Sequence, residues 1–113
     1  MDHDARSLMV RIAEIEVDPL RIDEYTRILA EEIDASLTLE PGVIALDAVA
    51  LKDQPNHIRL LEVYASQQAY EAHLQSAHFI KYKTLTTDMV LALRLLDVQP
   101  IRMRGITDDA STT

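Results

Sequence analysis

An α+β fold, with four strands and two main helices in the order β-α-β-β-α-β, is predicted by three features of this 113-residue chain. Residues 58–65 place Ile58, Leu60, Glu62 and Tyr64 on one side and Arg59, Leu61, Val63 and Ala65 on the other, the period-two signature of a strand. Ser66 then offers a side-chain oxygen to the free amides of a helix in which Ala69, Tyr70, His73, Leu74 and Ala77 recur at three- and four-residue intervals. Ahead of this unit stand a branched, alternating run, a helical stripe and a near-continuous apolar run, each with its own terminators.

Leu8 to Val17 reads as the first strand, with Met9, Arg11, Ala13, Ile15 and Val17 on one face and Leu8, Val10, Ile12, Glu14 and Glu16 on the other. Asp18-Pro19 ends it and starts a helix to about Leu37, because Asp caps and Pro is tolerated in a first turn. Ile22, Tyr25, Leu29, Ile33 and Ser36 form its stripe; Asp23, Glu24, Arg27, Glu31 and Asp34 lie away from it as a solvated face. Glu40-Pro41-Gly42 stops that helix, the glycine permitting the turn into a strand over Val43 to Leu51. Lys52 to His57 supply hairpin-turn chemistry, which places Asn56 and His57 in a loop before the third strand. A helix over about 67–77, a second short helix within 78–88 and a fourth strand over 91–98 complete the domain, 8–103. Residues 1–7 and 104–113 read as flexible tails.

The formal charge of −8, from 11 basic and 19 acidic side chains, disfavours nucleic acid, and no basic stripe with interleaved aromatics offsets it. With no cysteine there are neither disulfides nor thiolate metal sites. No apolar run approaches a membrane span and the N-terminus lacks a signal-peptide pattern, so the expectation is a cytoplasmic protein without membrane contact.

The element order is the split β-α-β pattern of ferredoxin-like folds. Two helices cover one face of such a sheet, yet Leu61, Val63, Leu91, Leu93, Leu95, Leu96 and Val98 supply apolar groups to both. A homodimer packed sheet to sheet follows as an expectation.

The Glu40-Pro41-Gly42 turn, the Glu62-Val63-Tyr64-Ala65-Ser66 strand end, Ala69-Tyr70 and the run from His73 to Phe79 resemble the antibiotic biosynthesis monooxygenase family, with its quinol monooxygenase-like members, over about residues 8–103. The resemblance implies a dimeric α+β barrel with a cavity between sheet and helices. It also implies, for some members, oxygenation of phenolic or quinol-type aromatics by molecular oxygen with neither metal nor flavin. Haem-degrading relatives use an asparagine on the first strand, a tryptophan ending the third and a histidine in the second helical region. Here there is no tryptophan, the sole asparagine is Asn56, Tyr64 takes the tryptophan position and Lys83 falls where the histidine would be. Haem degradation is disfavoured on that pattern. Tyr70 matches a tyrosine that phenol-oxidising members carry.

Oxygenation without a cofactor needs a base, to make the substrate an electron donor, and an anion stabiliser. His73 is the candidate base and Glu62 the candidate orienting carboxylate; a buried histidine bonded to a backbone carbonyl or to Glu62 is the structural alternative. Tyr64, Tyr70 and His78 are candidate substrate ligands, and Leu60, Phe79 and Met89 candidate cavity walls, each otherwise ordinary core or cap. Arg11, Arg59 and Arg94 lie mid-strand and need partners among Glu14, Glu16, Asp47 and Asp97, read as a polar network at the dimer interface. No metal site is expected: His73 and His78 are five apart, and no acidic residue accompanies them at a recognised spacing. The alternatives to an oxygenase are a non-catalytic small-ligand-binding dimer and an isomerase using the same acid and base.

Overall fold

A computed structural model describes residues 7–105. Its elements are β1 (Met9–Val17), a 3₁₀ turn (Pro19–Arg21), α1 (Ile22–Leu39), β2 (Val43–Leu51), β3 (Gln54–Tyr64), α2 (Gln67–Leu74), α3 (Ala77–Thr86) and β4 (Val90–Val98). The strands form one antiparallel sheet in the order β2-β3-β1-β4. This is the ferredoxin-like arrangement: β1 lies between β3 and β4, and β2 pairs only with β3. Most of residues 1–7 and 104–113, expected as tails, lie outside the described residues. No helix among those described is long and apolar enough to cross a membrane.

Local chemistry sets the boundaries. The Asp18 carboxylate accepts the Leu20 amide at 2.9 Å, with Pro19 in the turn that leads into α1. Ser66 accepts the Ala69 amide at the start of α2, and Ser76 accepts the Phe79 amide at the start of α3. The single helix expected to reach residue 77 is therefore broken at Gln75-Ser76, where the second serine competes for the backbone and restarts the turn. The hairpin is tighter than expected. Asn56 and His57 belong to β3, with His57 paired to Glu16 and the Asn56 amide donating to the Val17 carbonyl at 2.9 Å. Polar residues at a strand end look like loop when their ladder partners are unknown.

Gly42 has a tertiary reason. A Cβ there would meet the Ala69 Cβ at 2.7 Å, so the glycine lets α2 close onto the turn after α1. Ala65 donates its amide to the Gly42 carbonyl at 2.8 Å and fixes that approach.

The helices cover the sheet face bearing Ala13, Ile15, Val17 and Ile58, which pack with Tyr25, Ile28, Leu29 and Met89 in the principal core. Met89 is 1 % exposed in that core and does not border the main cavity, so its expected place as a substrate wall is corrected. Tyr25 and Tyr82 join α1 to α3 through their hydroxyls at 2.5 Å. Val43, Leu46 and Tyr64 form a second cluster below α2, with Leu60, Ala69 and Tyr70 against it.

Candidate functional site

Between the two clusters lies a cavity of about 280 Å³. Its sheet wall is built by alternate residues: Arg11, Ala13 and Ile15 of β1, Leu60, Glu62 and Tyr64 of β3, and Leu93 and Leu95 of β4. Its roof is Leu29 and Glu32 of α1, Tyr70, His73 and Leu74 of α2, and Phe79, Tyr82 and Lys83 of α3. The period-two pattern of β3 thus selected the wall it supplies. On the β4 side the wall is open, since Leu93 and Leu95 are 50 % and 47 % exposed.

His73 is 3 % exposed and lies against this cavity. Its Nδ1 is 2.9 Å from Glu40 Oε2, and its Nε2 is 3.5 Å from Glu32 Oε2. A carboxylate only accepts, so the Nδ1–H donates to Glu40 and Nε2 keeps its lone pair. Glu62 is not the orienting group expected from the sequence. Its Oε1 instead accepts the Tyr64 hydroxyl at 2.6 Å, one place along the same strand face, and the partner role for His73 falls to two carboxylates of α1 and its end. The Tyr64 hydroxyl is therefore committed to Glu62, and its ring packs edge-on to Tyr70 and tilted over His73.

His78, at the start of α3, also bonds Glu40 Oε2 through Nε2 and does not border the main cavity. Glu40 caps the C-terminus of α1, where free carbonyls already repel negative charge, so two imidazole N–H donors stabilise its carboxylate. The remaining candidates, Leu60, Tyr70 and Phe79, all line the cavity.

Two carboxyls are held above the usual range. Burial does this to Glu32, against a hydrogen bond from Ser36 Oγ at 2.9 Å and the nearby imidazoles, and to Glu62, against the Tyr64 hydrogen bond and the Arg11 charge. Burial also raises the Tyr64 phenol, beside Glu62.

Arg11 is on the cavity face, not at the outer surface with the other strand arginines. Its Nη1 donates to the Tyr70 hydroxyl at 2.5 Å, its Nε donates to Asp97 Oδ1 at 3.0 Å, and the guanidinium carbon lies 4.6 Å from the Tyr70 ring centre. An arginine that donates to the Tyr70 oxygen leaves the phenolic proton free for a third group. Arg59 and Arg94 do share the opposite face, both within 3.7 Å of Glu14.

Sequence reasoning missed Glu32, Glu40 and the cavity side of Arg11. Glu32 carried a signal: it stands four after Ile28 and four before Ser36, both buried, and is itself 7 % exposed. Glu40 carried none, being read as part of a turn. The structure also brings the two histidines together. Five-residue spacing matters on a continuous helix, but the break at Gln75-Ser76 turns His78 back, and one ligand atom each of Glu32, His73 and His78 lies within 4.8 Å of the others.

A family model described as antibiotic biosynthesis monooxygenase matches residues 8–85. Among solved structures, a provisionally named antibiotic biosynthesis monooxygenase from Bacteroides thetaiotaomicron is 48 % identical, with a TM-score of 0.87 over 89 % of this chain and 96 % of that one. Similarly named proteins share the fold at lower identity. The one from Nitrosomonas europaea is 19 % identical, with a TM-score of 0.78 over 89 % of this chain and 93 % of that one. The one from Caulobacter crescentus is 17 % identical, with a TM-score of 0.80 over 86 % and 92 %. No curated protein matches.

Proposed function

The chain belongs to the antibiotic biosynthesis monooxygenase family, and from that premise we propose that its cavity oxidises a small phenolic or quinol-type aromatic with molecular oxygen, using the substrate itself as electron donor. The observation that carries this reading is a single-ring-sized, largely apolar cavity whose roof presents the lone pair of His73 and the Tyr70 hydroxyl, the latter backed by Arg11 of the sheet wall.

His73 accepts the phenolic proton, with Glu40 holding the ring and its tautomer. The phenolate oxygen is met by the Tyr70 O–H, polarised by the Arg11 guanidinium. The electron-rich ring then passes one electron to dioxygen, and the radical pair combines at a ring carbon bearing hydrogen. Loss of water from that adduct leaves a carbonyl. A phenol and dioxygen thus become a quinone and water, with one oxygen atom in each product. In this proposal Glu62, whose Oε1 accepts the Tyr64 hydroxyl, gives the proton to the departing oxygen.

Two copies meeting through the sheet face that carries Ile12, Leu61, Leu96 and Val98 belong to the same proposal, because the described helices pack on the opposite face. The test is oxygen uptake with a panel of hydroquinones and simple phenols. Substrate-dependent uptake, one dioxygen per quinone formed and lost in His73→Ala, is expected. Uptake by no member of the panel, or uptake indifferent to the substitution, sinks the proposal.

A further inference from the structure

We propose that Glu32, His73 and His78, supported by Glu40, form a binding site for one divalent transition-metal cation of the Zn²⁺, Fe²⁺ and Co²⁺ class. One ligand atom from each of the three lies within 4.8 Å of the others. The 3.5 Å between His73 Nε2 and Glu32 Oε2 is close to the ~3.3 Å edge that bonds of ~2.0–2.1 Å make in a tetrahedral site. These donors come from three helices brought to one point, so an ion here would tie α1, α2 and α3 together.

The groups that would orient the ligands are already in place. Glu40 Oε2 takes an N–H from His73 Nδ1 at 2.9 Å and another from His78 Nε2, which leaves each neutral ring a second nitrogen with its lone pair. Ligating histidines are commonly held in this way, by a carboxylate on the ring nitrogen that does not touch the metal. Ser36 Oγ, donating to Glu32 Oε2 at 2.9 Å, fixes the third ligand.

Charge and donor type point the same way. Among the described residues neither Glu32 nor Glu40 is paired with a lysine or arginine, so a dication bound here would have two carboxylates to balance it. Two imidazoles with a carboxylate suit borderline transition ions; magnesium and calcium prefer sites made of oxygen alone. Access exists from two sides. Glu32 and His73 border the main cavity, and Glu32 and His78 border a second one of about 180 Å³ between α1 and α3.

This inference stands on the cluster's geometry, not on the oxygenase reading, and the two meet at one atom. His73 Nε2 cannot bind an ion and accept a proton together, so an occupied site is an inhibited one.

The test begins with chelator-treated protein titrated with Zn²⁺ by calorimetry and with Co²⁺ in the visible spectrum. One ion per chain is expected, with a ligand-field band for Co²⁺. Glu32→Gln and His78→Ala should each weaken binding roughly 10-fold or more, whereas His57→Ala, on the other sheet face, should change nothing. Selective broadening of the His73 and His78 ring signals by Co²⁺ in the unaltered protein gives a readout independent of how the variants fold. Absence of stoichiometric binding, or binding that survives both substitutions, overturns the site. Uptake of oxygen by the metal-free protein reports the oxygenase reading alone; Zn²⁺ should abolish it with an inhibition constant equal to its Kd, and persistence of uptake at saturation overturns the placement on His73. If no uptake is found at all, calorimetry still decides the site.

Discussion

His73 Nδ1 lies 2.9 Å from Glu40 Oε2, a hydrogen bond between residues 33 positions apart that joins the last turn of α2 to the end of α1. Because the carboxylate can only accept, this contact decides which ring nitrogen carries the proton and leaves Nε2 as the basic atom. His73→Ala should lower kcat for phenol oxidation by roughly 10²–10⁴-fold, the range for loss of a general base. Glu40→Gln, which keeps an acceptor but not the charge, should lower kcat by a smaller factor with KM little changed. Steady-state oxygen-electrode kinetics on both variants check this; equal losses in the two would remove the positioning role from Glu40.

The Arg11 to Tyr70 hydrogen bond gives a second prediction. Tyr70→Phe removes the donor proposed for the substrate oxygen and should lower kcat by about 10²-fold. Arg11→Met should act through the same hydroxyl, so the double variant should be little worse than Tyr70→Phe alone. Fully additive effects would show that the two residues work separately.

Gly42→Ala should destabilise the fold by about 1–3 kcal/mol, because the new methyl meets Ala69 Cβ at 2.7 Å. The companion change Ala69→Gly removes that methyl at a cost of about 1 kcal/mol in helix propensity. Combined, the pair should recover much of the loss. Urea midpoints for the four proteins of the cycle measure the coupling; a coupling near zero would mean that the glycine answers to its own backbone instead.

Glu62 predicts a pH dependence of stability. Burial holds its carboxyl above the ordinary value of 4.5, so the folded protein binds this proton more tightly than the unfolded chain. The resulting stability is complete below the unfolded pKa and is lost as pH rises through the folded one. Glu62→Gln cannot ionise and still accepts from Tyr64, so its stability relative to the native protein should rise between acid and neutral pH. Urea unfolding over that window reads the gap, and a gap that stays flat or shrinks with pH contradicts the burial assigned to this group.

The apolar sheet face turned away from the helices predicts association. Sedimentation should find a dimer at micromolar concentration, and Leu96→Asp, set beside Ile12 on that face, should yield a folded monomer. A native protein that sediments as a monomer throughout would leave the sheet face solvated and the dimer proposal without support.

The sequence by itself determined the order of elements and the cavity wall contributed by β3, because both depend on interactions within a few residues. Alternation put Leu60, Glu62 and Tyr64 on one face, and Ser66 opened a helix whose spacing turned Tyr70 and His73 toward it. The chain's tertiary packing decided the partners. The register of β1 beside β3 and β4 brought Arg11 to the cavity, the serine break before α3 turned His78 toward Glu40, and the close approach at Gly42 set α2 over the end of α1. Side-chain hydrogen bonds between residues 33 and 38 places apart depend on where helix axes cross, and local periodicity carries no information about that. Hence the histidine was legible as a candidate while the carboxylates that govern it were not.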